Sequence, residues 1–234
     1  MFHASVMIEL LRNGADPNLP NKAGETPLHI ICSHDYDKLS HSLRLFLIFN
    51  DSANQTVHID AVNINGCTPL HYALWHNKNT NIVESLLRRG ANPNLASREG
   101  LTALHYVHDI ENAEMLFRIA YELDQPLLVN AGDKDGFRPL HHAVLIRNKE
   151  VAKLLLRKGA KPNLANKYGV TPLHMIWDDN FTETFLTINE DLNLQVEIDA
   201  QDIHGFTPLH YARYHKQPRG VKSLLKRGAG QKMC

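Results

Sequence analysis

Cysteine is scarce in this 234-residue sequence: Cys32, Cys67 and Cys234 are too few, too scattered and odd in number to staple a secreted fold. That places the chain by expectation in a reducing compartment, the cytosol or the nucleus. Long hydrophobic runs are also missing. The longest, Leu43 to Phe49, is broken by Arg44 and falls far short of the roughly 18 residues that span a bilayer. Glu9 and Arg12 interrupt the N-terminal apolar stretch and no basic segment precedes it, so no signal peptide is read. The N-x-S/T triplets at Asn50, Asn54 and Asn180 then carry no message. Charge of one sign is absent too: 25 Lys and Arg balance 25 Asp and Glu, so the overall charge advertises neither a polyanion nor a membrane surface. P-loop, G-x-G-x-x-G, H-E-x-x-H, G-x-S-x-G and paired C-x-x-C motifs are all lacking. With them goes any recognisable catalytic constellation, and no enzyme, cofactor or metal is expected.

What the sequence does have is repetition. A tetrapeptide recurs as Thr26 to His29, Thr68 to His71, Thr102 to His105, Arg138 to His141, Thr171 to His174 and Thr207 to His210. The starts lie 42, 34, 36, 33 and 36 residues apart, the range of a solenoid unit of two short helices and a turn. Gly stands two residues before each copy, where a tight turn calls for positive φ. Thr can then cap a helix with its hydroxyl, and Pro at the first helical position gives up an N–H that has no intrahelical partner. The Leu points to the core, and Ala73, Val107, Ala143, Ile176 and Ala212 continue that face at helical spacing. A second apolar helix follows, as in Ile82 to Leu87, Val151 to Leu156 and Val221 to Leu225. It ends at Gly90, Gly159 and Gly228, which fit left-handed caps.

With this turn, the TPLH helix start and the LL-x-x-G-A-x-x-N ending at Leu10 to Asn18, Leu86 to Asn94 and Leu155 to Asn163, the sequence resembles the ankyrin-repeat family from about Val6 to Ala229. The resemblance implies an all-α solenoid. It divides the chain into a half repeat at 1–20, which opens the array in mid-unit as a cap or as part of a longer chain, and six repeats at 21–62, 63–96, 97–132, 133–165, 166–200 and 201–234. Ala103 in place of Pro and Arg138 in place of Thr predict two weaker helix starts. Alternate copies lie 76, 70, 69 and 69 residues apart, so the true period is two repeats. Odd units carry the long connections Asn50 to Asp60, Tyr121 to Asn130 and Asn189 to Asp199, which are expected to project on one side.

Fifteen His invite a metal or acid–base reading, and six are the tetrapeptide His. Helices stacked about 8–10 Å apart cannot bring equivalent rings onto one zinc, which needs nitrogens near 2.0–2.1 Å. A His bonded to turn backbone at each junction is the simpler expectation. Basic pairs at Arg88–Arg89, Arg157–Lys158 and Lys226–Arg227 end the second helices, where the helix dipole favours cations; that reading is preferred to a phosphate-binding stripe, and no nucleic acid is expected. Asp178 and Asp179 read as a solvated tip, and Cys67 and Cys234 as thiols with no visible activator.

The family architecture further implies a concave surface lined by the turn residues before the tetrapeptide and by the ends of the first helices. In frame, these are Trp75 and His76 in the second unit; Phe137, Leu145 and Ile146 in the fourth; Tyr168 and Val170 in the fifth; and Ile203, Phe206 and Tyr214 in the sixth. Lys22, Glu25, Ser33, Arg98 and Glu99 make the earlier units polar there. Apolar anchors on a concave wall are what a protein hot spot requires. The expectation is a monomeric, non-catalytic module that binds a protein partner. It resembles either the inhibitor-of-NF-κB class, without its Asp-Ser-Gly-x-x-Ser degron since Ala53 follows Asp51-Ser52, or the poxvirus-type adaptors of ubiquitin ligases. A segment of a larger scaffold is a further alternative, and a metal-dependent enzyme built from the His a distant one.

Overall fold

The computed structural model describes residues 2–33, 39–76 and 80–230; Cys234 lies outside them. Among the described residues every regular element is helical. Two compact units divide the chain. Unit 1 comprises residues 1–107 and 111–127, and unit 2 comprises residues 108–110 and 128–234.

In unit 1 the order is α1 (Phe2–Arg12), α2 (Pro27–Ser33), α3 (Leu39–Ser52), α4 (Pro69–His76), α5 (Thr80–Arg88), a 3-10 turn at Ala103–Tyr106 and α6 (Ile110–Glu122), whose first residue lies in unit 2. Unit 2 continues with α7 (Pro139–Leu145), α8 (Lys149–Arg157), a 3-10 turn at Pro172–Met175, α9 (Phe181–Asp191), α10 (Pro208–Tyr214) and α11 (Pro218–Lys226). The tetrapeptide Leu residues are core: Leu28, Leu70, Leu140, Leu173 and Leu209 are all buried. So are Ile82 and Leu86 of α5 and Val151 and Leu155 of α8, spaced four apart on one helical stripe. The in-frame Val6 and Leu10 of α1 are exposed instead.

Within each unit the turns are tied by tetrapeptide His residues, namely His29, His71, His141 and His174. Nδ1 accepts from the backbone N–H of the Thr three residues earlier, at 3.1 Å for Thr26, 2.9 Å for Thr68 and 3.1 Å for Thr171. The Thr hydroxyl lies 2.8–3.2 Å from the same nitrogen. Thus the hydroxyl, expected on the backbone, turns chiefly to the ring, and His takes the N3 place that Glu or Gln holds in a capping box. Nε2 donates onward to a carbonyl of the next turn: His29 to Cys67 at 3.0 Å, His141 to Val170 and His174 to Phe206 at 3.1 Å. His71 reaches Leu95 at 3.1 Å. An amide N–H can only donate and a carbonyl can only accept, so the network assigns the neutral ring with its proton on Nε2.

The two substituted helix starts keep this clamp. Arg138 N–H still donates to His141 Nδ1 at 3.1 Å, while its guanidinium bonds the carbonyls of Gly136 and Ala165 at 2.7 and 2.8 Å. Ala103, where proline would have no N–H, donates to the Pro93 carbonyl at 3.2 Å.

The expectation of a full first helix in units with Val107 and Ile176 is corrected. Those residues end their 3-10 turns in extended backbone, with ψ of 117° and 104°. β-Branched residues suit that geometry, and amides from the following unit hold it. Asn148 Nδ2 donates to the His108 carbonyl at 2.8 Å and Gln217 Nε2 to the Ile176 carbonyl at 3.0 Å. Asp178 Oδ1 accepts the N–H groups of Asn180 and Phe181 at 2.9 Å, starting α9 early. The long connections begin later than the sequence suggests, since α3, α6 and α9 run to Ser52, Glu122 and Asp191. Buried Asn50 and Asn189 fit inside these helices by donating to the Phe46 and Phe185 carbonyls at 2.7 Å. Left-handed Asn54, Asp124 and Asn193 then stop them where the other units use Gly.

Two measurements check this account. Burial holds His71 and His141 down at about 4 and also lowers His29 and His174. A ring depressed when folded gives stability that is complete above its unfolded value near 6.5 and is lost as pH falls toward 4, roughly 3 kcal/mol for each of the two largest shifts. The urea midpoint should therefore be flat above pH 7 and fall steeply between pH 6.5 and 4. Gly169 combines φ of +73° with a Cβ position 2.8 Å from the Asp202 Cα, whereas Gly159 has φ of +94° in open space. Gly169→Ala should cost about 2–4 kcal/mol and Gly159→Ala about 1–2 kcal/mol in denaturant titrations.

Candidate protein-binding surface

The turns that carry the predicted contact residues are built by one side-chain device. Asn or Asp at the start of the turn accepts, through Oδ1, the N–H groups two and four residues on. Asp133 takes those of Asp135 and Phe137 at 2.9 and 2.8 Å, Asn166 those of Tyr168 and Val170 at 2.9 and 3.0 Å, and Asp202 those of His204 and Phe206 at 2.8 and 2.9 Å. These Asx turns leave the tips free to pair. In unit 2, Lys167 N–H donates to the Asp135 carbonyl at 2.9 Å and Ile203 N–H to that of Tyr168 at 3.0 Å. In unit 1, Ile64 pairs with Ala23 and Arg98 with Asn65 in the same way.

This pairing lines up Phe137, Tyr168, Val170, Ile203 and Phe206 on consecutive tips of unit 2. Phe137 and Val170 are half-buried. Phe137 stands edge-on to His141 and His142, with ring centroids 5.7 and 6.5 Å apart. Tyr168 and Phe206 are about two-fifths exposed and Ile203 61 %. Below the tips, Tyr211 donates its hydroxyl to Asp202 Oδ2 at 2.8 Å, and burial with that carboxylate pushes the phenol up to about 12. In unit 1, Tyr72 stands in the same frame, accepts from Asn63 of its own turn at 2.9 Å and donates to Glu25 of the preceding turn at 2.7 Å.

The helix ends form the second rim. Leu145 and Ile146 at the end of α7 are exposed, as is Tyr214 at the end of α10. Trp177, which the sequence reading left out, joins them. It is 46 % exposed and stacks on His215 at 5.2 Å, and Tyr214 meets the same imidazole edge-on at 5.1 Å. Trp177 stands in frame with buried Val144 of α7. Counted along a complete helix it belongs in the core, and the shortened 3-10 turn at Pro172–Met175 releases it to the surface. Trp75 and His76 belong to unit 1 and are described there alone: both are exposed, with Trp75 against Tyr106 at 5.3 Å and His76 at 6.1 Å.

Comparison with known proteins accounts for this plan. The family model described as ankyrin repeats matches three times, over residues 2–97, 76–166 and 148–233. The chain belongs to the ankyrin-repeat family. An ankyrin repeat protein of Variola virus is 34 % identical over 152 residues, covering 64 % of this chain and 24 % of that protein. Human NF-kappa-B inhibitor zeta is 28 % identical over 222 residues, covering 81 % and 30 %, and alpha-latrotoxin-Lhe1a of Latrodectus hesperus is 33 % identical over 129 residues, covering 53 % and 8 %. The chain thus spans about a quarter to a third of the first of these relatives. Ankyrin repeats are protein-interaction modules.

Against the ankyrin frame, the other candidate groups serve the scaffold. Among the described residues no three His, Cys, Asp or Glu side chains converge as a metal site requires, and no helix is long and apolar enough to cross a membrane. Arg88, Arg89 and Arg227 at the second-helix ends are ion-paired, chiefly to carboxylates on neighbouring helices. Arg88 meets Glu84 and Glu122, Arg89 meets Asp51, and Arg227 meets Glu183 and Glu190. The Arg227 guanidinium holds the Glu183 carboxyl down at about 2. Asp179 accepts the Gly220 N–H at 2.8 Å. Cys32 is buried, which pushes its thiol up, and Cys67 is half-buried with Sγ 3.8 Å from the Tyr106 hydroxyl. Tyr211→Phe should cost about 1–2 kcal/mol in urea titrations, with helical circular dichroism unchanged, because one Asp202 oxygen loses its donor.

Proposed function

We propose that the chain is a non-catalytic recognition module whose main protein-binding surface lies on unit 2. The observation that carries this reading is the alignment of exposed Tyr168, Ile203 and Phe206 on paired turn tips beside exposed Leu145, Ile146, Trp177 and Tyr214 at the helix ends. Burial of such anchors releases roughly 25 cal/mol per Å² of apolar surface, and aromatic side chains dominate measured hot spots. Phe137 and Val170 support the rim as half-buried members, and Trp75 with His76 provides a separate anchor on unit 1.

An inhibitor-like role, in which the chain occupies a partner and blocks its other contacts, draws support from the similarity to NF-kappa-B inhibitor zeta over 81 % of the chain. In this reading the half repeat and six repeats divide at the turns named from the sequence. The module works as a monomer in the cytoplasm or nucleus, without cofactor or metal.

Affinity purification from the native cell supplies the partner, and Leu145→Asp with Tyr214→Ala tests the surface. Partner binding should fall at least tenfold while the urea midpoint and helical signal stay within error of the wild type. Unchanged affinity in the folded double variant would refute the assignment.

A further inference from the structure

The charges around the unit 2 surface are unevenly used, and this says what kind of partner fits. Its carboxylates are largely engaged within the protein. Asp133 and Asp202 close Asx turns, and Asp202 also takes the Tyr211 hydroxyl. Asp135 pairs with Lys167. Asp178 caps α9 and faces Lys149 at 3.9 Å, and Asp179 holds the Gly220 amide. Glu150 is exposed in the first turn of α8, where the helix dipole favours it. The cations at the helix ends are different. Arg147, Arg213 and Lys216 are exposed and have no carboxylate within ion-pair distance among the described residues.

Arg147 and Lys216 are also in frame with one another, each following the end of a first helix. Both hold left-handed backbone, with φ of 59° and 55°, a place that Gly or Asn fills at less conformational cost. Long basic side chains are thus set at two equivalent tips, in the fourth and sixth repeats, with Trp177 of the fifth repeat between them in chain order and stacked on His215 beside Lys216. Units stacked about 8–10 Å apart put those tips about 20 Å from each other, the length of about six residues of extended chain.

We propose that the occupant of this surface is an acidic peptide segment with an apolar centre. Aromatic or aliphatic side chains lie against Trp177, Phe206 and Tyr214, while carboxylates about six residues apart meet Arg147 and Lys216, with Arg213 beside the second. This rests on the reading of unit 2 as the recognition surface and adds its chemistry.

The test uses the full chain and a phage-displayed library of random twelve-residue peptides. Selected peptides should combine two or more Asp or Glu with at least one large apolar residue. Their synthetic versions should bind at least tenfold more tightly than copies with Lys at the acidic positions, and Arg147→Glu with Lys216→Glu should reverse that preference. Arg147→Gly with Lys216→Gly separates recognition from helix capping: peptide affinity should fall at least fivefold while the urea midpoint holds or rises. A lower midpoint with unchanged affinity would make the two cations structural and overturn the proposal. Peptides selected without acidic bias, or bound equally by the charge-reversed chain, would also overturn it while leaving the apolar surface in place. Failure of Leu145→Asp with Tyr214→Ala to weaken the selected peptides would instead overturn the surface assignment itself. Displacement of the acidic peptide by polyuridylate as readily as by unlabelled peptide would reduce the site to a general polyanion patch and reject the proposal. So would failure to select any peptide.

Discussion

The imidazole clamp between successive turns is the constraint on which the architecture depends. One neutral His ring caps the helix of its own unit through Nδ1 and fixes the next unit through Nε2, as in His29 to Cys67 and His141 to Val170. Both nitrogens are therefore committed at these junctions. A ring used in this way has no lone pair left for a metal and no spare proton-transfer capacity. The same geometry that aligns successive turns thus occupies these His, and the binding role proposed above falls to the side chains displayed between the clamps.

Display requires the turn tips to stay in register. The Asx bonds of Asp133, Asn166 and Asp202 shape each tip, and direct backbone pairing joins Lys167 to Asp135 and Ile203 to Tyr168. Gly at the close approach is needed because a Cβ would meet neighbouring backbone, as at Gly169. Once the tips are fixed, residues with no structural duty can be large and apolar at little cost to the fold. That freedom is what makes Ile203 informative: a solvated turn has no need of it.

Most of this was readable from periodicity. The tetrapeptide, its Leu and the closing Gly report local preferences and a buried stripe, which are properties of short segments. The Asx residues were missed, although an Asn or Asp three residues before the turn Gly recurs at Asn21, Asn63, Asp133, Asn166 and Asp202. Trp177 was left out because a frame counted along an ideal helix assumes that every unit completes one. The cross-helix ion pairs of Arg88, Arg89 and Arg227 were also hidden, since Glu122, Asp51 and Glu183 lie 34 to 44 residues away in the neighbouring helix.

By itself, then, the sequence determined the repeating unit, most of its helix starts and the identity of its core stripe, because each follows from spacing and backbone preference within one unit. Only the tertiary structure decided where the third and fifth units abandon the first helix. Amides of Asn148 and Gln217, delivered from the following unit, hold the carbonyls that settle it. It also decided which charges are consumed and which stay exposed. Pairing of a carboxylate is a matter of distance across the stack, and no linear order of residues reports that distance.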